Sequence, residues 1–144
     1  MTGPATVADE RSLRACHDTL VAFLAAIDRG HASAAIDCFT DDATMNARGQ
    51  QLHGRAEIAG FLAERETDPE RRTAHVLTNH TARQTAEGII EIDAILVLLV
   101  HNATGAYAID RVLNTTQSLR RTDTGWKITR RTTHPLHDAA SSGP

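Results

Sequence analysis

The sequence predicts an α+β domain: a cone-shaped, curved antiparallel sheet whose concave face is covered by three N-terminal helices. Three observations predict it. Apolar residues recur at steps of three and four up to about Arg29, and twice more, briefly, before Thr67; that spacing marks helices with one buried face. From Thr73 onward the chain turns to long Val-, Ile- and Thr-rich segments separated by turns that each contain a glycine, as antiparallel hairpins do. Helices segregated in this way from an antiparallel set of strands define the α+β class. Finally, a strand of roughly fourteen residues, such as Gly88–His101, would span about 46 Å if straight. That is too long for one domain of 144 residues, so the sheet has to curve and enclose a cavity.

Taken in order, Thr6 and Asp9 have capping-box spacing, with Asp in place of Glu. Leu13, Cys16, Leu20, Phe23, Leu24 and Ile27 form the apolar stripe of the first helix, which Gly30 ends. A short second helix is expected over about 32–39, burying Ala35, Ile36 and Phe39. The carboxylate pair Asp41-Asp42 then precedes a short β-prone stretch, Ala43-Thr44-Met45, and is read as structural. A Gly-containing turn leads to a third helix over about 55–66, burying Ile58, Phe61 and Leu62 and stopped by Thr67-Asp68-Pro69. Strands are expected over 73–85, 88–101, 105–120 and 126–133. Residues 1–8 and 136–144 are read as flexible tails and 9–135 as a single domain.

Within the strand Glu91–His101 both faces are apolar in the middle, so both are expected to be buried. The wholly apolar row Ile92, Ala94, Leu96, Leu98 and Val100 is assigned to the convex side, where no helix is left to cover it. A homodimer through the convex sheet face is therefore expected.

Composition narrows the function classes. The net charge of −3 gives no basic footprint for nucleic acid. No apolar run reaches the roughly 18 residues of a membrane-spanning helix, and the N-terminus lacks the pattern of a signal peptide, so a cytoplasmic location is expected. Cys16 and Cys38 sit in helical, apolar patterns as reduced thiols, without zinc spacing. No dinucleotide fingerprint, phosphate-binding loop or metal motif is present, so neither cofactor nor metal is expected. Aromatics make up only 3% of the chain, so a cavity would be lined mainly by aliphatic side chains and would suit a small hydrophobic molecule.

The segments FLAAIDRGHASAAIDCFTDDATMN, GQQLHGRAEIAGFL, RTAHVLTNH and GWKITR, distributed over about residues 10–133, resemble the SnoaL-like and ketosteroid-isomerase-like groups of the nuclear transport factor 2-like superfamily. The resemblance implies the cone-shaped fold but not one reaction, because the fold hosts isomerases, dehydratases, cyclases, epoxide hydrolases and non-catalytic subunits. At the position of the isomerases' donor tyrosine this chain has Phe23, and at that of their general base it has Ala47; ordinary ketosteroid isomerisation is not expected. Scytalone dehydratase relatives match better, with a helix Asp at Asp28, a strand His at His75, and a second strand group near Asp93. Limonene-epoxide-hydrolase relatives also place a catalytic Asp near Asp93, but their Arg and second Asp fall on Glu91 and Arg131.

The candidate catalytic residues are accordingly His75, Asp28 and Asp93, converging on one cavity from strand, helix and neighbouring strand. Asp28 near a helix C-terminus faces the negative end of the helix dipole, so its presence there needs a reason. Asp93 among apolar neighbours needs a partner, either in catalysis or in a structural ion pair with Arg111 or Arg131. Asn79, on the face of His75 in a regular strand, Tyr107, the only tyrosine, Asn46 and Phe23 are the candidate substrate contacts. His80, of opposite parity to His75, is expected to point outward or into an interface. The expected function is a cofactor-independent dehydratase, isomerase or cyclase acting on a polyketide-, terpenoid- or steroid-like molecule by acid–base catalysis. The alternative is a non-catalytic ligand-binding or assembly subunit of the same fold, such as a dioxygenase small-subunit-like protein, whose cone would be plugged by side chains.

Overall fold

The computed structural model describes residues 8–137; the expected capping role of Thr6 and most of both tails lie outside the described residues. Helix α1 spans Glu10–Asp28. Asp9 caps it, its carboxylate accepting from the Ser12 backbone N–H at 2.8 Å and the Ser12 hydroxyl at 3.1 Å, which satisfies a donor that the first turn leaves free. Gly30, at φ +83°, takes the chain out of the helix. The segment Ala32–Cys38 is a 3₁₀ helix; it is too short for the cooperative α form that the sequence pattern suggested. Strand β1, Phe39–Ala47, and strand β2, Gln50–His53, form a hairpin around Arg48 and Gly49, both at positive φ. The expectation had been a shorter β1 followed by a turn alone. Helix α2 covers Arg55–Glu66 as expected. Strands β3 (Thr73–Ala86), β4 (Ile89–His101), β5 (Tyr107–Thr122) and β6 (Gly125–Pro135) complete the fold.

The strands lie in the order β2-β1-β6-β5-β4-β3. Neighbours are antiparallel except β1 and β6, which run parallel. The sheet is therefore mixed rather than purely antiparallel: β1 comes from the helical layer, not from a hairpin with β6, so nothing forces the two to oppose. Asp41 and Asp42 sit inside β1, where its pairing with β6 is irregular. Asp42 accepts from the Thr40 hydroxyl at 2.8 Å, a local structural role.

The core lies between the helices and the concave face. Cys16, Leu20, Phe23 and Leu24 of α1 and Ile58 and Leu62 of α2 pack with Ile90, Ile92 and Leu96 of β4, Leu119 of β5 and Ile128 of β6. Each such Leu or Ile, when fully buried, stabilises the fold by about 1.5–3 kcal/mol. This corrects the expected dimer surface. Ile92, Ala94, Leu96 and Leu98 are between 1% and 7% exposed and face the concave side. The convex row is Ile95, Val97 and Leu99. Alternation told the two rows apart but not which one the helices would cover.

Four β-bulges break strand parity in the antiparallel pairs; one, at the end of β3, pairs Gln84 with Ile90 but Ala86 with Ile89, and the other three lie nearer the cavity. Thr78 pairs with Ile95 but Thr81 with Asp93, so β3 carries one extra residue at Asn79–His80; Leu98 pairs with Arg111 but Leu99 with Ile109; Leu119 pairs with Ile128 but Ser118 with Arg130. Asn79 takes φ +53° at its bulge. A bulge flips the side chains that follow it to the other face. No helix of the described residues is long and apolar enough to cross a membrane. Both cysteines are free.

Candidate active site

Asp28, in the last turn of α1, and His75, near the start of β3, meet at the edge of the concave face. The His75 ring Nδ1 lies 2.6 Å from Asp28 Oδ1. The backbone N–H of His75 donates to Oδ2 at 2.8 Å, and the Thr73 hydroxyl donates to Oδ1 at 2.9 Å. Three donors explain how a carboxylate is tolerated at the negative end of a helix. Burial alone would raise the Asp28 pKa; the His75 ring and backbone N–H, the imidazole's charge and the Thr73 hydroxyl together outweigh it and hold the carboxyl below its ordinary value. An ionised carboxylate only accepts, so Nδ1 carries the proton. In the neutral form of the ring Nε2 then keeps its lone pair, and His75 lines the cavity.

The cavity has a volume of about 410 Å³. Leu24 and Ile27 of α1, Leu96 and Leu98 of β4, and Leu113 of β5 supply apolar walls. Phe23 is in the lining and packs edge-on to Phe39 at 5.3 Å. Ala47 lines it too, so the two positions that carry isomerase chemistry in relatives face the cavity without a polar group. Asn46 also borders it, but its amide is committed: Nδ2 donates to the Thr133 carbonyl and Oδ1 accepts the Thr133 N–H, both at 2.8 Å. It extends the β1–β6 ladder rather than offering groups to a ligand.

Three of the candidate residues lie elsewhere. Asp93 is exposed on the convex face, bonded to the Asn114 amide at 3.0 Å and the Thr116 hydroxyl at 2.8 Å, because it shares parity with the outward row of β4. It forms no ion pair with Arg111 or Arg131. Asn79 is exposed at the bulge, where its left-handed backbone turns it away from the face of His75. Tyr107 is 52% exposed and packs on His101 at 5.0 Å, at the rim of a separate shallow groove beside Asp28. The same β3 bulge turns the exposed His80 toward α1, where its ring lies beside that of His17 with centroids 4.8 Å apart.

Two side chains that the structure brings to this site were not among the candidate site residues. Thr73, buried, orients Asp28; its strand parity with His75 was the available signal. Arg131 enters the cavity because the β6 bulge at Thr129 puts it on the face of Gln117, which a regular alternation from Ile128 would not do.

A helical layer over a half-closed cone, with a His–Asp pair inside it, defines a domain of the nuclear transport factor 2-like α+β class. A family model for the SnoaL-like domain matches residues 9–132, and the chain belongs to that family. No curated protein matches it by sequence. Among solved structures, a candidate aromatic ring hydroxylase from Novosphingobium aromaticivorans superposes with a TM-score of 0.77 at 24% identity, over 90% of this chain and 92% of that one. A candidate dehydratase of the nuclear transport factor 2-like family from Streptomyces avermitilis does so with a TM-score of 0.77 at 17% identity, over 90% and 99% of the two chains. A nuclear transport factor 2-like protein with a cystatin-like fold, also from N. aromaticivorans, gives 0.76 at 21%, over 90% and 85%. At these identities the likeness is one of fold.

Proposed function

We propose that this chain is an acid–base enzyme of the dehydratase, isomerase or cyclase type, acting on a small, largely apolar molecule held in the cone. The observation that carries the reading is the 2.6 Å Asp28–His75 pair opening on a cavity of about 410 Å³. His75 Nε2 takes a proton from a carbon next to a carbonyl. The imidazolium that forms is stabilised by Asp28, and the proton is returned to a leaving hydroxyl or to another carbon. Such a group contributes about 10²–10⁴-fold. The rival reading, an assembly subunit, calls for a cone filled by side chains; an open, His-lined cavity favours catalysis over it.

The test is proton exchange at carbon. Cyclic ketones and β-hydroxyketones with polyketide-, terpenoid- and steroid-like skeletons are incubated with the protein in D₂O and followed by NMR. Deuterium uptake or loss of water is expected with at least one skeleton. Activity on none of them, or activity unaffected by loss of His75, would sink the proposal.

We also propose a homodimer through the convex face, now assigned to the other row. Val76, Val97 and Val112 form one cross-strand line there, and Val76 is 44%, Val112 40% and Ile109 66% exposed. Apolar side chains grouped in this way on a sheet face suit a self-complementary contact. Light scattering at micromolar concentration is expected to return twice the chain mass, and Val97→Arg to reduce it to the monomer. A native protein that is monomeric under these conditions rules the dimer out.

A further inference from the structure

The cavity that holds His75 is lined by five arginines, Arg48, Arg65, Arg71, Arg111 and Arg131, and among the described residues by no aspartate or glutamate. The chain as a whole has a net charge of −3, so the sign is reversed locally. A cleft walled by one sign of charge concentrates its field on a ligand of the other. Two of these side chains have polar protein partners, and a third packs on a ring. Arg65 donates to the Arg71 carbonyl at 2.8 Å, Arg111 contacts the Asp110 carboxylate at 3.2 Å, and Arg48 lies over the Phe61 ring at 5.9 Å.

Arg131 differs from Arg65 and Arg111 in having no polar partner, and from Arg48 and Arg71 in the loss of solvent at its guanidinium. The β6 bulge turns it inward, and its guanidinium lies over the face of Phe23 at 5.1 Å. Among the described residues it has neither a carboxylate nor a hydrogen-bond acceptor. Loss of solvent alone pushes its pKa down to about 10, which leaves it charged at neutral pH. The side chain is half-buried and borders the open cavity, so its N–H groups, which no protein acceptor occupies, are available to a ligand there. A planar guanidinium fork is matched by a planar anion, bound through two parallel N–H···O bonds.

The geometry points to a ligand that is itself an acid: a ring-sized apolar body lying along Leu24, Ile27, Leu96 and Leu98, with a carboxylate held by Arg131. This rests on reading the His75 cavity as a substrate site and adds the chemical class of the substrate. The anion anchors one end of the molecule and leaves the other to His75, so the binding charge and the reacting proton are served by different strands.

The test uses two probes of one shape, 2-naphthoate and the neutral 2-naphthamide, titrated into the native protein near neutral pH by calorimetry. Naphthoate is expected to bind at least ~10-fold more tightly, a difference of about 1.4 kcal/mol. Arg131→Gln is expected to abolish the preference, and Arg130→Gln, at an exposed position on the same strand, to keep it. Should Arg131→Gln not fold, Arg131→Lys retains the charge but not the fork and is expected to weaken naphthoate while leaving naphthamide unchanged. Equal affinity for the two probes in the native protein overturns the inference, and so does a preference that survives loss of Arg131. Binding is read without turnover, so the two proposals fail separately. A carboxylate preference with no His75-dependent chemistry leaves an acid-binding cavity, and His75-dependent chemistry with no such preference leaves an enzyme for neutral substrates.

Discussion

Replacing His75 by alanine is expected to lower turnover by about 10²–10⁴-fold while the protein still folds. The ring is held at Nδ1 by the Asp28 carboxylate and lines the cavity, which leaves Nε2 as the nitrogen that can serve a ligand. Alanine removes that nitrogen and keeps the backbone N–H that Asp28 accepts at 2.8 Å. Asp28 also keeps the Thr73 hydroxyl. The structural loss is one charge-assisted hydrogen bond, about 1.5–3 kcal/mol, short of the roughly 5–15 kcal/mol that holds a domain folded. Circular dichroism and a thermal melt measure the second effect, and initial rates on the substrate found by proton exchange measure the first. A rate unchanged by the substitution would make His75 a satisfied core histidine and remove the catalytic reading with it.

The helices and the four long strands were legible because each rests on a local rule. The stripe Leu13 to Ile27 repeats at helical spacing, and each hairpin turn carries a glycine or an Asn/Asp. The Asp28–His75 pair was legible through the resemblance, and the need of a carboxylate at a helix C-terminus for donors agreed with it. What the sequence hid depends on longer-range packing. Asp93 and the row from Ile92 to Leu98 were assigned to the wrong faces, because alternation fixes which residues share a face and not which face the helices choose. Asn79, His80, Arg111 and Arg131 were misplaced or overlooked because one-residue bulges precede or contain them. A bulge at Asn79 has a weak local signal, since Asn tolerates φ > 0; those at Asp110 and Thr129 have none. Bulges in a strongly curved sheet re-aim side chains beside the cavity, so parity fails where the site is built.

Substituting Asp28 by asparagine is expected to damage both activity and stability although the shape is kept. The carboxylate accepts three hydrogen bonds, two at Oδ1 and one at Oδ2. An amide has one oxygen. If that oxygen takes the Oδ1 position, the NH₂ group confronts the His75 backbone N–H, donor against donor, at a cost of about 1–3 kcal/mol. If the amide is reversed, the NH₂ group faces Nδ1 and also meets the Thr73 hydroxyl. The ring then accepts at Nδ1 and carries its proton on Nε2, so the base becomes an acid. Either way turnover is expected to fall by about 10²–10⁴-fold. The pH dependence separates the carboxylate's charge from its shape. The folded-state pKa of Asp28 lies below its ordinary value of 3.8, so its contribution to stability is fully present above the unfolded value and is lost as pH falls through the folded one. The asparagine variant has no such contribution at any pH. Urea midpoints of the two proteins, measured from about pH 6 to about pH 2, are expected to differ most above the ordinary carboxylate value and to converge below it. A gap of constant size over the whole range would mean that the charge of Asp28 contributes nothing to the fold, and that its three hydrogen bonds are those of a neutral group.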